Sequence, residues 1–173
     1  MEILVFSDSH GDARGMREAL SAHRTADAAV FCGDGLRDFD DAMRNFPLMA
    51  QFAVTGNWDT YAMLAALGVS EQPEILVDLE GVRFLILHGN TLHVREGYDA
   101  LLEYAGQRRA DAVLFGHTHL PENSMHRDPI RPGHKILLFN PGSVGRSLVR
   151  PYGIVTAEGG SVTAEHHRLT DLT

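Results

Sequence analysis

The sequence predicts an α/β fold in which mixed β-sheets, two of them packed face to face, carry helices on the outside. Three observations lead there. Short apolar segments alternate with helix-patterned ones through the first part of the chain. A two-residue connection, Glu80-Gly81, joins two strand-like runs and introduces antiparallel pairing. After Arg108 the strand patterns continue without helices.

Glu2 to Ser7 is short, apolar and rich in branched side chains, as a buried strand is, and the apolar spacing from Asp12 to His23 suits a helix. Ala28 to Cys32 repeats the strand pattern, Gly33-Asp34-Gly35 halts it, and a helix is expected around Leu36 to Asn45. Phe52 to Thr55 is a third strand, halted by Gly56-Asn57. Asp59 is then expected to cap a helix running to about Leu67, its carboxylate accepting from the first free N–H groups. Glu74 to Leu79 and Val82 to Leu87 form the hairpin. Tyr98 to Arg108 is helical, with Leu101, Leu102 and Ala105 on one side, and Ala112 to Phe115 is another buried strand, halted by Gly116-His117. Lys135 to Phe139, Tyr152 to Thr156 and Ser161 to Arg168 read as closing strands separated by Pro-Gly and Glu-Gly-Gly turns. No repeat, linker or low-complexity segment interrupts them, so one domain spanning 1–173 is expected.

Composition narrows the function classes. At 173 residues and 44% hydrophobic content the chain can bury one substantial core, which excludes a fibre or a disordered tail. No apolar stretch approaches the ~20 residues needed to span a bilayer. Met1-Glu2-Ile3 has an acid where an export signal carries basic residues, so a cytoplasmic protein is expected. Cys32 is a lone cysteine, which removes any internal disulfide framework or cysteine-based zinc site. The net charge is −8, and Lys135 is the single lysine among fifteen basic residues scattered along the chain, so extended nucleic-acid binding is not expected. Histidine is abundant instead, with ten copies of the commonest metal ligand.

Those histidines are ordered relative to the carboxylates. Four strands end by giving way to Gly or Ser plus a metal-competent side chain: Ser7-Asp8-Ser9-His10, Gly33-Asp34, Gly56-Asn57 and Gly116-His117-Thr118-His119. A fifth ends at His88-Gly89. Successive clusters lie about one βα unit, ~30 residues, apart. Ligands of open α/β sheets bind beyond the carboxyl ends of the strands, so these groups are expected to converge there. His117 and His119 project to the same side if that segment is extended. Two carboxylates, one amide oxygen and four imidazoles suit borderline divalent cations better than calcium, and they are about right for two ions sharing a bridging carboxylate. Each piece alone reads as ordinary turn chemistry; the conjunction points to a metal site.

The ordered set Asp8-x-His10, Gly33-Asp34, Gly56-Asn57-x-Asp59, His88-Gly89 and Gly116-His117-x-His119 resembles the calcineurin-like metallophosphoesterases. Asn140-Pro-Gly-Ser143 and the small size resemble their short bacterial and archaeal phosphodiesterase branch. The resemblance implies a four-layer α-β-β-α sandwich with two mixed sheets and a dinuclear metal site. Asp8, His10, Asp34 and His119 would hold one ion, and Asp34, Asn57, His88 and His117 the other, with Asp34 bridging. Manganese is the first expectation, with nickel, zinc, iron or cobalt as alternatives. Asp34, Asn57, His88 and His117 would also be the catalytic set, around a hydroxide that bridges the two ions and attacks in line. In two places the chain departs from the pattern. The position after Asn57, often a proton-donating His, is Trp58, and a further His of many short relatives is replaced by Asn90. His93 could supply part of that role, though a surface histidine is the plainer reading.

The expected partner is a small phosphoester, a diester in preference to a monoester because few cationic groups lie near the motifs. The alternatives are a phosphomonoesterase and, from a different class, a binding scaffold of the same fold that retains its ligands. A metal-dependent amidohydrolase also uses His-x-His, but it needs a barrel of ~250 residues. An exposed strand edge leaves a homo-oligomer open. Cys32 reads as a small buried hydrophobe. Trp58 reads equally as a stacking platform for a substrate ring or as wall packing.

Overall fold

The fold follows from the short apolar runs, of which the central ones, Ile3 to Phe6, Ala28 to Phe31, Phe84 to Leu87, Ala112 to Leu114 and Ile136 to Phe139, are buried on both faces as strands inside α/β sheets are. The computed structural model describes residues 1–169; the end of the expected 1–173 span lies outside the described residues. The elements in order are β1 (Glu2–Phe6), α1 (Arg14–Ala22), β2 (Ala28–Phe31), α2 (Leu36–Met43), β3 (Ala50–Ala53), α3 (Tyr61–Leu67), β4 (Glu74–Leu79), β5 (Val82–Leu87), a single 3-10 turn (Asn90–Leu92), α4 (Asp99–Gln107), β6 (Ala112–Leu114), β7 (Glu122–Arg127), β8 (Lys135–Asn140), β9 (Pro151–Glu158) and β10 (Ser161–Arg168).

Two five-stranded mixed sheets result. One runs β10-β9-β1-β2-β3 and the other β4-β5-β6-β8-β7. In the first, β1, β2 and β3 are parallel while β9 and β10 are antiparallel. In the second, β5, β6 and β8 are parallel and the edges β4 and β7 are antiparallel. Side-chain alternation divides the interior into layers. Ile3, Val5, Val30, Phe84, Ile86, Leu114 and Phe139 meet between the sheets. Leu4, Phe6, Ala29 and Phe31 face the other way, onto Met16 and Leu20 of α1 and Phe39 and Met43 of α2. On the far side, Leu85, Val113 and Leu138 pack against Leu101 and Ala105 of α4. The stacking is helix, sheet, sheet, helix, as the resemblance implies.

Differences from the expected elements are local. Helix α1 begins at Arg14 because Asp12 accepts the Arg14 N–H at 3.0 Å ahead of the first turn. Strand β3 pairs through Ala50–Ala53, and Val54 and Thr55 already belong to the loop. Strand β7 was not expected, since Glu-Asn-Ser-Met-His-Arg has no apolar run. It is an edge strand beside β8 whose residues alternate between exposed and half-buried. Among the described residues no helix is long and apolar enough to cross a membrane.

Candidate metal centre

The carboxyl ends of β1, β2, β5 and β6 arrive at one edge of the sandwich, and their loops are tied together by backbone bonds. Asp8 N–H donates to Gly33 O at 3.0 Å, His10 N–H to Asp34 O at 3.1 Å, and Gly116 N–H to His88 O at 3.1 Å. The Asn140–Ser143 turn joins the assembly. Ser143 Oγ donates to Asp8 O at 2.8 Å, and Asn140 Nδ2 donates to Gly116 O at 2.8 Å. Asp8, Asp34 and His88 are buried, and His10, His117 and His119 are half-buried.

This edge is built on demanding backbone. Asp8, His10, Asp34, His117 and His119 have φ of 56°, 48°, 65°, 66° and 62°. Left-handed non-glycine residues are uncommon, cost on the order of 1–3 kcal/mol each, and cluster at functional sites. The expectation that His117 and His119 project from an extended segment is therefore corrected: both sit in left-handed turns. Glycine is required beside them by space. A Cβ on Gly116 would stand 1.9 Å from Ser7 Oγ and 2.9 Å from Asp8 Oδ2. At Gly33 the backbone itself is left-handed, with φ of 94°.

Each carboxylate has one oxygen pinned and one free. Asp8 Oδ2 accepts from Ser7 Oγ at 2.5 Å and from the His117 N–H at 3.1 Å, while Oδ1 is buried with no hydrogen-bond partner among the described residues. That Oδ1 faces His119 Nε2 at 3.2 Å and His10 Nε2 at 3.7 Å. Asp34 Oδ1 accepts the Trp58 N–H at 2.7 Å, and its Oδ2 stands 3.3 Å from His88 Nε2 and 3.9 Å from His10 Nε2. The donor atoms of Asp8, His10 and His119 lie within 4.8 Å of one another, and so do those of Asp8, Asp34 and His88. The His88 and His117 rings are 5.1 Å apart. Asn57 is exposed on the loop after β3 and lines a cavity with His88 and Gly89.

Protonation exposes what this cluster lacks. His88 Nδ1 is 2.7 Å from Cys32 O, a carbonyl that can only accept, so Nδ1 carries the proton. Neutral His88 then turns the Nε2 lone pair towards the Asp34 carboxylate, and that nitrogen has no hydrogen-bond partner among the described residues. Such a pair of electron-rich atoms calls for a cation between them, and a ring held through its other nitrogen by a backbone carbonyl is the usual setting of a metal-ligating histidine. His10 Nε2 and His119 Nε2 lie 3.1 Å apart, close enough for one to donate to the other, while His10 Nδ1 is buried with no hydrogen-bond partner among the described residues. Burial pushes the Asp8 carboxyl up from its usual range, and the neighbouring Asp34 charge adds to this against His88 and His119. Burial also opposes the Asp34 carboxylate, but His88, the Trp58 N–H and His10 outweigh it and hold the group low. For His88 burial favours the neutral ring, and the Asp34 and Asp8 charges prevail and raise it. Burial lowers His10, and burial with the His88 charge lowers His117 to about 4. Two carboxylates facing several imidazoles, two of which, His10 and His117, are held in the neutral form that can ligate, are a donor set suited to a divalent cation.

Asp59 is the residue whose role the sequence order conceals. Helix α3 starts from Thr60, without a side-chain cap, so the expected cap is corrected. The buried Asp59 carboxylate instead accepts four backbone N–H groups: Gly35 and Leu36 on Oδ1 at 3.0 and 2.8 Å, Asp34 and Gly56 on Oδ2 at 3.0 and 2.9 Å. It braces the loop that presents Asp34 and the start of α2. Of the remaining candidates, Cys32 is wholly buried, and burial raises its thiol well above the usual range. His93 is exposed on the turn after Asn90–Leu92. Arg95 donates to His117 O at 2.8 Å. Trp58 is 55% exposed, with its ring against the edge of His10 and beneath the Arg146 guanidinium.

Comparison with known proteins agrees with this geometry. Residues 1–160 match the profile of the calcineurin-like phosphoesterase superfamily domain. A probable metallophosphoesterase of Bacillus subtilis, YsnB, is 25% identical over 172 residues, covering 96% of this chain and 90% of its own length. A predicted phosphoesterase of Streptococcus pneumoniae superposes with a TM-score of 0.75 at 24% identity, over 98% of this chain and 90% of that one. An archaeal phosphodiesterase does so with a TM-score of 0.69 at 24% identity, over 96% of this chain and 100% of that one.

Proposed function

The chain belongs to the calcineurin-like phosphoesterase superfamily, and on that premise we propose that it is a phosphodiesterase whose site holds two divalent cations, manganese first among them. The supporting observation is the pair of buried, unpartnered ligand atoms, Asp8 Oδ1 and His88 Nε2, aimed into one cluster. In this reading Asp8, His10, Asp34 and His119 hold one cation, and Asp34, Asn57, His88 and His117 hold the other. Asp34 would be shared by both, its Oδ2 lying 3.3 Å from His88 Nε2 and 3.9 Å from His10 Nε2. When bound, such cations supply Lewis acidity, which generates a strong nucleophile from water at neutral pH and offsets charge on the phosphoryl oxygens.

The chain's residues fix where that chemistry happens. Ser7 and the His117 N–H orient Asp8, the Trp58 N–H orients Asp34, and Cys32 O sets the His88 tautomer. Asn57 would ligate through its side-chain oxygen, leaving its amide N–H₂ to meet a phosphoryl oxygen. With Trp58 in the next position, no side chain there donates a proton to the departing alcohol, so solvent protonates it and esters of acidic alcohols turn over fastest. A diester carries one negative charge and needs less cationic help than a monoester; Arg95 is engaged on the His117 carbonyl and Arg146 stands over the Trp58 ring, which leaves Arg37 at the neighbouring cavity as the guanidinium available to a substrate.

The test is hydrolysis of bis(4-nitrophenyl) phosphate against 4-nitrophenyl phosphate, with manganese and with a strong chelator. Metal-dependent turnover that favours the diester is expected. Turnover that survives exhaustive chelation would overturn the metal reading, and a preference for the monoester would overturn the diester reading.

A further inference from the structure

Beside the metal cluster lies a second feature that the hydrolytic reading does not use. Trp58 and Met63 are large apolar side chains that stay 55% and 39% exposed. They line a cavity of about 440 Å³ together with His10, Asp34 and Arg37, within the ~300–1,000 Å³ range of small-molecule sites. The indole meets the His10 ring edge-on at 5.0 Å, and the Arg146 guanidinium stands over the indole at 5.1 Å. Both contacts hold the ring in a defined place next to a proposed metal ligand. Arg37 is exposed on α2 and forms no hydrogen bond or ion pair among the described residues, so its donors are free to meet a ligand.

A rigid indole, a polarisable thioether and an unengaged guanidinium around one cavity are the components of a site for a planar ring. Aromatic faces stack or meet edge to face, methionine sulfur favours ring edges, and arginine binds both ring faces and acceptor substituents. The cavity shares His10 and Asp34 with the metal cluster, so a ring lying in it is one ester bond away from a phosphoryl group at the cluster.

We propose that Trp58, Met63 and Arg37 form the subsite for a planar aromatic group of the substrate, an aryl or nucleobase-bearing alcohol, with Arg37 meeting an acceptor on the ring. The proposal rests on the phosphoesterase reading for the position of the phosphoryl group, but its test does not require turnover. Trp58 is the single tryptophan of the chain, so fluorescence excited selectively through tryptophan, without the four tyrosines, reports on this cavity. The probes are 4-nitrophenylphosphonate and methylphosphonate, neither hydrolysable, added to the manganese-loaded protein. The first is expected to quench the fluorescence saturably and the second to leave it unchanged, with Arg37→Ala weakening the first by about threefold. By calorimetry, Trp58→Ala is expected to weaken 4-nitrophenylphosphonate by about tenfold, as loss of one stacking partner does. Methylphosphonate should stay within twofold, and Trp58→Phe should restore most of the loss. Equal binding of the two phosphonates, or equal loss of both in Trp58→Ala, would overturn the subsite even if the diesterase activity is found. Ring-selective quenching without any hydrolysis would uphold the subsite and strike the catalytic reading alone.

Discussion

Asp59→Asn isolates the role of a side chain that touches neither proposed cation. The substitution preserves volume but replaces one carboxylate oxygen with an NH₂ group, while the four backbone N–H groups around it, at 2.8 to 3.0 Å, still need acceptors. The amide oxygen can keep one pair, either Gly35 with Leu36 or Asp34 with Gly56. The other pair then faces a donor. At ~1–3 kcal/mol for each of the two buried donors left unpaired, the expected loss is about 2–6 kcal/mol of folding stability. A loss of that size lowers the melting temperature by roughly 4–24 °C in a domain of this length. Because the bonds lost hold the loop of Asp34, manganese affinity should also fall, by about 10- to 100-fold as for other groups that orient metal ligands. Urea denaturation of metal-free protein gives the first number, and calorimetric titration with manganese gives the second. A stability change under about 0.5 kcal/mol together with unchanged metal affinity would refute the argument that Asp59 organises the site.

Two further outcomes follow from the same geometry. Gly116→Ala drives a methyl group into Ser7 Oγ and Asp8 Oδ2, which would stand 1.9 and 2.9 Å away, so it should cost about 1–3 kcal/mol as overpacking and reduce activity through the displaced Asp8; unchanged activity would contradict the tight fit. Cations that bind the folded chain alone should raise its stability by about 2.7 kcal/mol at a hundredfold excess over the dissociation constant, so chelation should lower the melting temperature by roughly 5–10 °C, reversibly on adding manganese. A scan in which chelator and manganese leave the melting temperature unchanged would show that no cation is bound by the native state.

How far these features were legible depends on whether their causes are local in sequence. Strands such as Ile3 to Phe6 and Phe84 to Leu87 are buried on both faces, so they stand out as apolar runs, and the ligands at their ends are marked by the glycines that let loops approach. Strand β7 is an edge with one half-exposed face, and its pairing is supplied by β8 rather than by any apolar pattern of its own. Asp59 precedes a helix and so looks like its cap; its actual donors come from residues 34 to 36 and from Gly56, brought to it by the pairing of β2 with β3. The left-handed turns at His117 and His119 likewise depend on contacts made across the sandwich, including the Asp8 carboxylate that accepts the His117 N–H. The candidate ligands were marked locally; the bracing that aims their side chains was not.

The central claim is that Asp34 joins two cation sites into one cluster. Metal content after reconstitution with manganese and gel filtration, measured by elemental analysis on the unmodified chain and on Asp34→Ala, addresses it directly. The account predicts two ions per chain in the first and close to none in the second. Fewer than one ion in the unmodified chain, or two retained in Asp34→Ala, would contradict it.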